Sequence, residues 1–275
     1  MISIVTPSFR QLDWLRLAMA SVADQEGVEV EHIIQDGGSE PKALASIVTS
    51  PIARLFPEPD AGMYDAINRG LRRARGDICA YLNCDEQYLP GALAQVAKFF
   101  SAYPKVDVLF GDVILVDRQG QPLSYRRIVL PAQSHLRLAH LNTASCATFF
   151  RRNLLDRGFY FDPQWKAIGD LVWIESMLRA GVRMRTLHWP LAAFTFTGEN
   201  LGATSLSVAE AVRRRGAPAF GRVRTAASVV LHRVRKALAG AYRHRRVDIA
   251  LYIHEFPRQR QRRIAENVGF AWPRA

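Results

Sequence analysis

Short, unbroken apolar runs alternate along residues 1–112 with stretches whose apolar residues recur every three to four positions. "ISIVT" is continuous and stops at Pro7, which predicts a buried strand. "QLDWLRLAMASVADQ" then places Leu12, Leu15, Met19 and Val22 on one face of a helix. "VEVEHIIQDGGS" reads as a second strand closed by Gly37-Gly38, and "EPKALASIVTS" as a helix with Pro41 near its start. A further helix is predicted from Tyr64 to Ala74, ending before Gly76. "ICAYLNCD" lacks polar alternation and predicts a strand covered on both faces. The helix "GALAQVAKFFSAY" and the strand "VDVLFGDVILVD" complete the run. This order predicts an α/β fold with an open, mostly parallel, Rossmann-like sheet and helices on both faces. Ligands of such sheets lie beyond the carboxyl ends of the strands. Thr6-Pro7-Ser8, Asp36-Gly37-Gly38 and Asn83 to Glu86 fall at those ends, so three polar clusters are expected on one rim.

From Arg118 the pattern is less regular, until a helix through "GDLVWIESMLRAG" and an extended "RMRTLHWPLAAFTFTGEN". After Ser205 a helical tail is predicted, with Val223, Ala227, Val230, Val234, Leu238 and Ala241 on one stripe and most Arg and Lys off it. Three segments result: residues 1–112, residues 113–205 of the same domain, and a tail over 206–275.

Composition adds a core, and charge adds an asymmetry. With 49% apolar residues in 275, the chain can bury a sizeable interior. Lys and Arg balance Asp and Glu through Ser205, at 21 each, but number 16 against 4 from Leu206 onward, so the tail carries the whole formal +12. An amphipathic basic helix fits an anionic membrane surface. It fits equally a helix docked on the body by its apolar stripe with solvated arginines. Nucleic-acid binding is the weakest reading, because the tail has no recognised motif and few aromatics. Met1 runs directly into "ISIVTP" without the regions of a secretory signal, and no apolar run reaches the ~18 residues of a membrane span. Three cysteines, Cys79, Cys84 and Cys146, without CxxC spacing suit a reducing cytoplasm. The expected location is cytoplasmic, peripheral on the inner face of the membrane.

The acids of "LNCDE" (Leu82 to Glu86) could open a solvated loop or hold a cation. Oxygen ligands suit Mg2+ or Mn2+, which are commonly held by one or two carboxylates together with substrate phosphates.

Four ordered motifs, "SIVTPSFR", "IIQDGGS", "PEPDAGMYDAINRGLRRARGD" and "YLNCDEQYLPGAL", resemble those of the family 2 glycosyltransferases over about Ile2 to Ala203. The resemblance implies a GT-A fold, with residues 1–112 binding a nucleotide sugar and residues 113–205 binding an acceptor. It implies a UDP-, dTDP- or GDP-linked donor and a sugar or lipid-linked acceptor, in cell-surface polysaccharide or glycolipid assembly. Thr6, Pro7, Ser8 and Asp36 then match nucleotide contacts, with Asp36 facing the base, and Asp60 a contact near base and ribose. Tyr64, Asp65 and Asn68 match the helix-start motif that supports the nucleotide pocket. Asp85 takes the place of the metal-binding carboxylate, with Asn83 beside it and Glu86 as a second metal candidate. "KAIGDLVWIESMLRAGV" is similar to the family segment whose aspartate lies beside the acceptor, which makes Asp170 the implied general base of an inverting transfer. "FTFTGENLGAT" matches a loop that closes over diphosphate or acceptor.

Each residue also has a plainer reading. Asp36 could make a turn, Asp65 could face solvent, Asn68 could bond locally, and Asp170 could cap a helix. The pattern departs from the family at Asn83 and Glu86, both aspartates in a strict motif, and at Ser145-Cys146, where many relatives carry His-Gln. Three other functions stay open: a nucleotidyltransferase, for which "TPSFRQLDW" offers only Arg10 as a phosphate-binding base; a glycoside hydrolase with paired carboxylates; and a catalytically silent nucleotide-binding module with a basic tail.

Overall fold

The computed structural model describes residues 1–47, 50–138, 140–198, 204–215 and 222–273. In chain order the elements are β1 (Ile2–Ser8), α1 (Leu12–Ala23), β2 (Val30–Asp36), α2 (Pro41–Ile47), β3 (Ala53–Pro57), α3 (Met63–Arg72), β4 (Ile78–Tyr81), β5 (Glu86–Tyr88) and α4 (Ala92–Ala102). Then follow β6 (Val108–Val116), β7 (Pro122–Arg126), α5 (Gln133–Leu138), a 3-10 turn (Ser145–Ala147), β8 (Thr148–Arg151), α6 (Asn153–Asp156), α7 (Gly169–Arg179) and β9 (Met184–Thr195). The last elements are α8 (Ser205–Arg215), α9 (Arg222–Leu238), β10 (Arg245–Ile253) and β11 (Phe256–Val268).

One sheet runs in the order β3-β2-β1-β4-β8-β6-β9-β5, with β7 added on β6. β3, β2, β1 and β4 are all parallel, whereas β8 enters antiparallel between β4 and β6. Side-chain alternation on β1 divides the core: Ile2 and Ile4 pack with Ala18 and Val22 of α1 and with Leu93 and Val96 of α4. Val5 points the other way, into a layer formed by Ile67 and Leu71 of α3 with Trp173, Ile174 and Met177 of α7. Helices therefore cover both faces, as the unbroken apolar strands require. β3 is an addition to the predicted strands. It is a half-buried edge strand that carries Arg54 and ends at Pro57, so its apolar signal is weak.

The tail departs from the predicted run of helix in two ways. Residues 245–268 form an antiparallel hairpin, in which Val247, Ile249 and Leu251 alternate with more exposed neighbours and pack on Ile114, Val116 and Ala193. The hairpin is bound tightly to the body: Gln87 and Tyr252 exchange side-chain-to-backbone hydrogen bonds of 2.8 and 2.9 Å, and Arg260 donates to Asp24 and to the Tyr88 carbonyl. Second, α9 is turned over relative to a stripe-docked helix. Ser228 and His232 are its buried side, while Val230, Leu231, Val234 and Leu238 are exposed, Leu238 by 85%. The side chain of Val223 and the loop 199–203 lie outside the described residues. No helix among the described residues is long and apolar enough to cross a membrane.

Candidate active site

Beyond the carboxyl ends of β1 and β4 lies a cavity of about 1200 Å3. Pro7, Ser8, Asp60, Tyr64, Asn83 and Asp85 reach its wall from the first half of the chain, and Asp170 faces it from the start of α7. α8 adds Ser207, Val208 and Ala211, and the chain's last turn adds Trp272. The segment after Ser205 therefore forms part of the cavity wall.

The turn Asn83 to Glu86 divides its polar groups by direction. Glu86 is fully buried and is not on the cavity wall. One of its oxygens accepts from the Ser145 hydroxyl at 2.6 Å and the other from the Asn83 amide at 2.9 Å. Burial, followed by the neighbouring Asp85 charge, raises its pKa, so the carboxyl holds its proton unusually well. Glu86 thus builds the turn, in place of the expected offer of oxygen atoms to a metal. Asp85 and Asn83 do face the cavity. Asp85 has its pKa raised by burial, and Asn83 Oδ1 is buried without a hydrogen-bond partner. A raised carboxyl beside an unsatisfied carboxamide oxygen is a set that a hard cation would satisfy.

The glycine-rich loops are placed by close approach. A Cβ on Gly37 would collide with the Asp60 carboxylate, so a bare backbone there lets Asp60 lie over the end of β2. Asp60 accepts from the Gly62 amide at 2.8 Å and remains on the wall. The other motif residues turn inward. Asp36 spends its oxygens on the Gly38 and Ser39 amides and the Ser39 hydroxyl. Thr6 hydrogen-bonds His32 at 2.8 Å, where burial holds the imidazole neutral with a pKa of about 3. Asp65 is raised by burial but held below the usual range by the Ala61 amide and Arg69. Asn68 donates to the Phe161 carbonyl at 2.7 Å and accepts from its amide at 2.9 Å. Thr6, Asp36, Asp65 and Asn68 do not line the cavity; they hold the loops that do.

Tyr64 joins the two halves. Its ring stacks on Phe161 and passes so close to Gly169 that a Cβ there would lie 2.6 Å from it. Its hydroxyl donates to Asp170 Oδ1 at 3.3 Å. α7 begins at Gly169 with Ile168 in the capping position, so Asp170 sits inside the first turn and does not cap the helix. The amides leading into α7 are taken instead by Glu210 of α8, which accepts from Lys166 at 2.7 Å, Ala167 at 2.9 Å and Ile168 at 3.2 Å. Asp170 Oδ1 also accepts from the Leu171 amide at 2.8 Å, and the residue lies on the cavity wall. Burial lifts its pKa to about 6, offset by the Leu171 amide and Tyr64. A carboxylate in that range can accept a proton near neutral pH. Sequence reasoning missed Glu210, although an acid standing just before three arginines in a basic tail was a visible anomaly. It also missed Arg118 and Arg126, which bring positive charge to the wall.

The sequence model of glycosyl transferase family 2 matches residues 3–159. An uncharacterized glycosyltransferase of Mycobacterium tuberculosis is 34% identical over 227 residues, covering 78% of this chain and 82% of that protein. A PGL/p-HBAD biosynthesis glycosyltransferase of Mycobacterium bovis is 27% identical, covering 72% and 78%. Among solved structures, Staphylococcus aureus TarS (residues 1–349) with UDP-GlcNAc aligns with a TM-score of 0.61 at 17% identity, covering 86% of this chain and 72% of that one. A Pyrobaculum calidifontis mannosyltransferase with GDP-Man and Mn2+ aligns at 0.53 and 18% identity, covering 86% and 64%. These two structures share the GT-A fold with the curled α/β sheet seen here. By its family match and its M. tuberculosis relative, the chain belongs to glycosyltransferase family 2.

Proposed function

We propose that this protein moves a sugar from a nucleotide diphosphate sugar to an acceptor hydroxyl, with inversion at the anomeric carbon. The observation that carries the reading is the shared cavity, with Asn83, Asp85 and Asp60 on the side of the first half and the Tyr64–Asp170 pair at the start of α7. Asp170 takes the proton of the acceptor hydroxyl as that oxygen bonds to the anomeric carbon. The bond to the diphosphate breaks in the same displacement, and nucleoside diphosphate departs. Tyr64 orients the Asp170 carboxylate, and Arg118 and Arg126 offset phosphate charge. Asp85, with the Asn83 carboxamide beside it, would hold Mg2+ or Mn2+, which when bound neutralises charge developing on the leaving diphosphate. The solved relatives hold UDP-GlcNAc and GDP-Man, so the donors to test are UDP, GDP and dTDP sugars.

The acceptor in this reading is a sugar or lipid-linked hydroxyl, in surface polysaccharide or glycolipid assembly. The enzyme works in the cytoplasm and rests on the inner face of the membrane through segment 206–275. The outward stripe of Val230, Val234 and Leu238, flanked by exposed Arg233, supports that contact, as do exposed Leu206 and Val212 on the helix that borders the cavity. Anionic vesicles should sediment the protein in a salt-sensitive way, and Val234→Glu should weaken this. Removing 206–275 would be a poor test, because it also removes Glu210 and part of the cavity wall.

Thermal shift with UDP, GDP and dTDP sugars, with and without Mn2+, tests the donor reading. Stabilisation by one nucleotide class that is enhanced by Mn2+ is expected; a folded protein that responds to none of them contradicts the proposal.

A further inference from the structure

Three histidines meet where α9 crosses α5, and the proposed transfer gives none of them a part. His135 of α5 and His232 of α9 are 2% and 6% exposed, and their rings stack 3.8 Å apart at 16°. His140, on the chain just after α5, stands edge-on to His135 at 4.8 Å and also reaches the cavity wall. One ring nitrogen from each of the three lies within 4.8 Å of the other two. Both nitrogens of His135 and Nδ1 of His232 are buried without a hydrogen-bond partner. Buried imidazole nitrogens are costly unless something pairs with them. We propose that His135, His140 and His232 bind a borderline transition-metal ion of the Zn2+ class, which fastens α9 to the body of the enzyme.

The chemistry of the set selects the ion. All three ligands are imidazoles, which suit Zn2+, Co2+, Ni2+ and Cu2+, whereas Mg2+ and Mn2+ favour oxygen ligands. The charged groups facing the cluster are Lys236 and Arg235 of α9, with Arg126 of β7 beside Lys236. Among the described residues the leading charges on the cluster are these cations, which do not favour a hard cation. An ion with bonds of about 2.0–2.1 Å wants its ligand nitrogens about 3.3 Å apart, so the rings must draw in. Rotation about the soft Cβ–Cγ bonds of His provides the movement. The ion would hold α9 by its polar side and leave the exposed stripe of Val230, Val234 and Leu238 facing outward.

His135 and His232 are not on the cavity wall, so the site can be tested without donor, acceptor or an ion at Asp85. Its test uses the full chain without a histidine tag, stripped with chelator and kept in excess Mg2+ so that carboxylate sites are filled. Co2+ titration should show one equivalent bound, with visible d–d absorption of nitrogen coordination, and Zn2+ should displace it. His135→Gln and His232→Gln should each weaken Co2+ binding at least tenfold while circular dichroism stays native. Absence of both the absorption and the bound equivalent in the wild-type chain overturns the proposal, with no need of a variant. Undiminished binding in both folded variants overturns it equally.

Discussion

Two of the acids on the cavity wall, Asp85 and Asp170, each have a second, buried acid behind them. In the turn Asn83 to Glu86, Glu86 spends its oxygens on the Asn83 amide and Ser145 and leaves Asp85 on the wall. At the start of α7, Glu210 spends its oxygens on the amides of residues 166–168 and leaves Asp170 on the wall. The arrangements differ in reach. Glu86 is the chain neighbour of the acid it supports, whereas Glu210 comes from another helix 40 residues later. A working acid needs fixed geometry, and a buried carboxylate that accepts backbone amides supplies it at low cost in mobility.

Removing a working acid should have the largest effect. Asp85→Asn should lower transfer by about 10³-fold, equivalent to about 4 kcal/mol of transition-state stabilisation. It should also abolish the Mn2+-dependent part of donor stabilisation in a thermal shift. The unliganded protein should melt no lower, because burial disfavours the charge being removed. A Mn2+ response that survives in the variant would take Asp85 out of the proposed metal site.

The two supporting acids should then separate. Glu210→Gln offers an NH2 group to three backbone amides that need acceptors, which orphans at least one of them at about 1–3 kcal/mol. The expected outcome is a lower Tm and a kcat reduced about tenfold or more, with donor KM little changed, because the Asp170 helix loses its anchor. Glu86→Gln should be the mildest change. Glutamine can accept from the Asn83 amide with its oxygen and donate to the Ser145 hydroxyl with its nitrogen, so both contacts survive. Equal losses in the two variants, measured by steady-state kinetics and calorimetry, would show that the two supports do not differ as the geometry says.

The same contrast marks what could be read from the chain. The parallel strands β1, β2 and β4, the strand β6 and the helices between them carry strong periodicity, and four motifs stand in order, so this much of the sheet and its rim was legible, whereas β3 and β5 were not. Within the rim, residue type could not show direction: Asp36 and Asn68 are spent on local backbone, whereas Asp60 and Asp85 face the cavity. Glu210 escaped because its partners are backbone amides, which leave no mark in sequence. In the tail, net charge masked structure. The alternation of Val247, Ile249 and Leu251 announces a strand, which the helical reading of 206–275, resting on the stripe from Val223 to Ala241, passes over. α9 does have the predicted apolar stripe, yet packs by Ser228 and His232, because amphipathicity does not say which face meets the protein.

In the proposed reaction Asp170 removes the acceptor proton in the cavity that holds the donor. The most direct measurement compares donor binding and transfer in wild type and Asp170→Asn across pH. The variant should bind the nucleotide sugar with wild-type affinity and lose about 10²–10⁴-fold in kcat. Wild-type kcat should fall as pH drops through about 6, where the buried carboxylate takes up its proton, and this limb should vanish from the variant's residual rate. Turnover by Asp170→Asn at the wild-type rate, with the acidic limb intact, would remove Asp170 from the role of base.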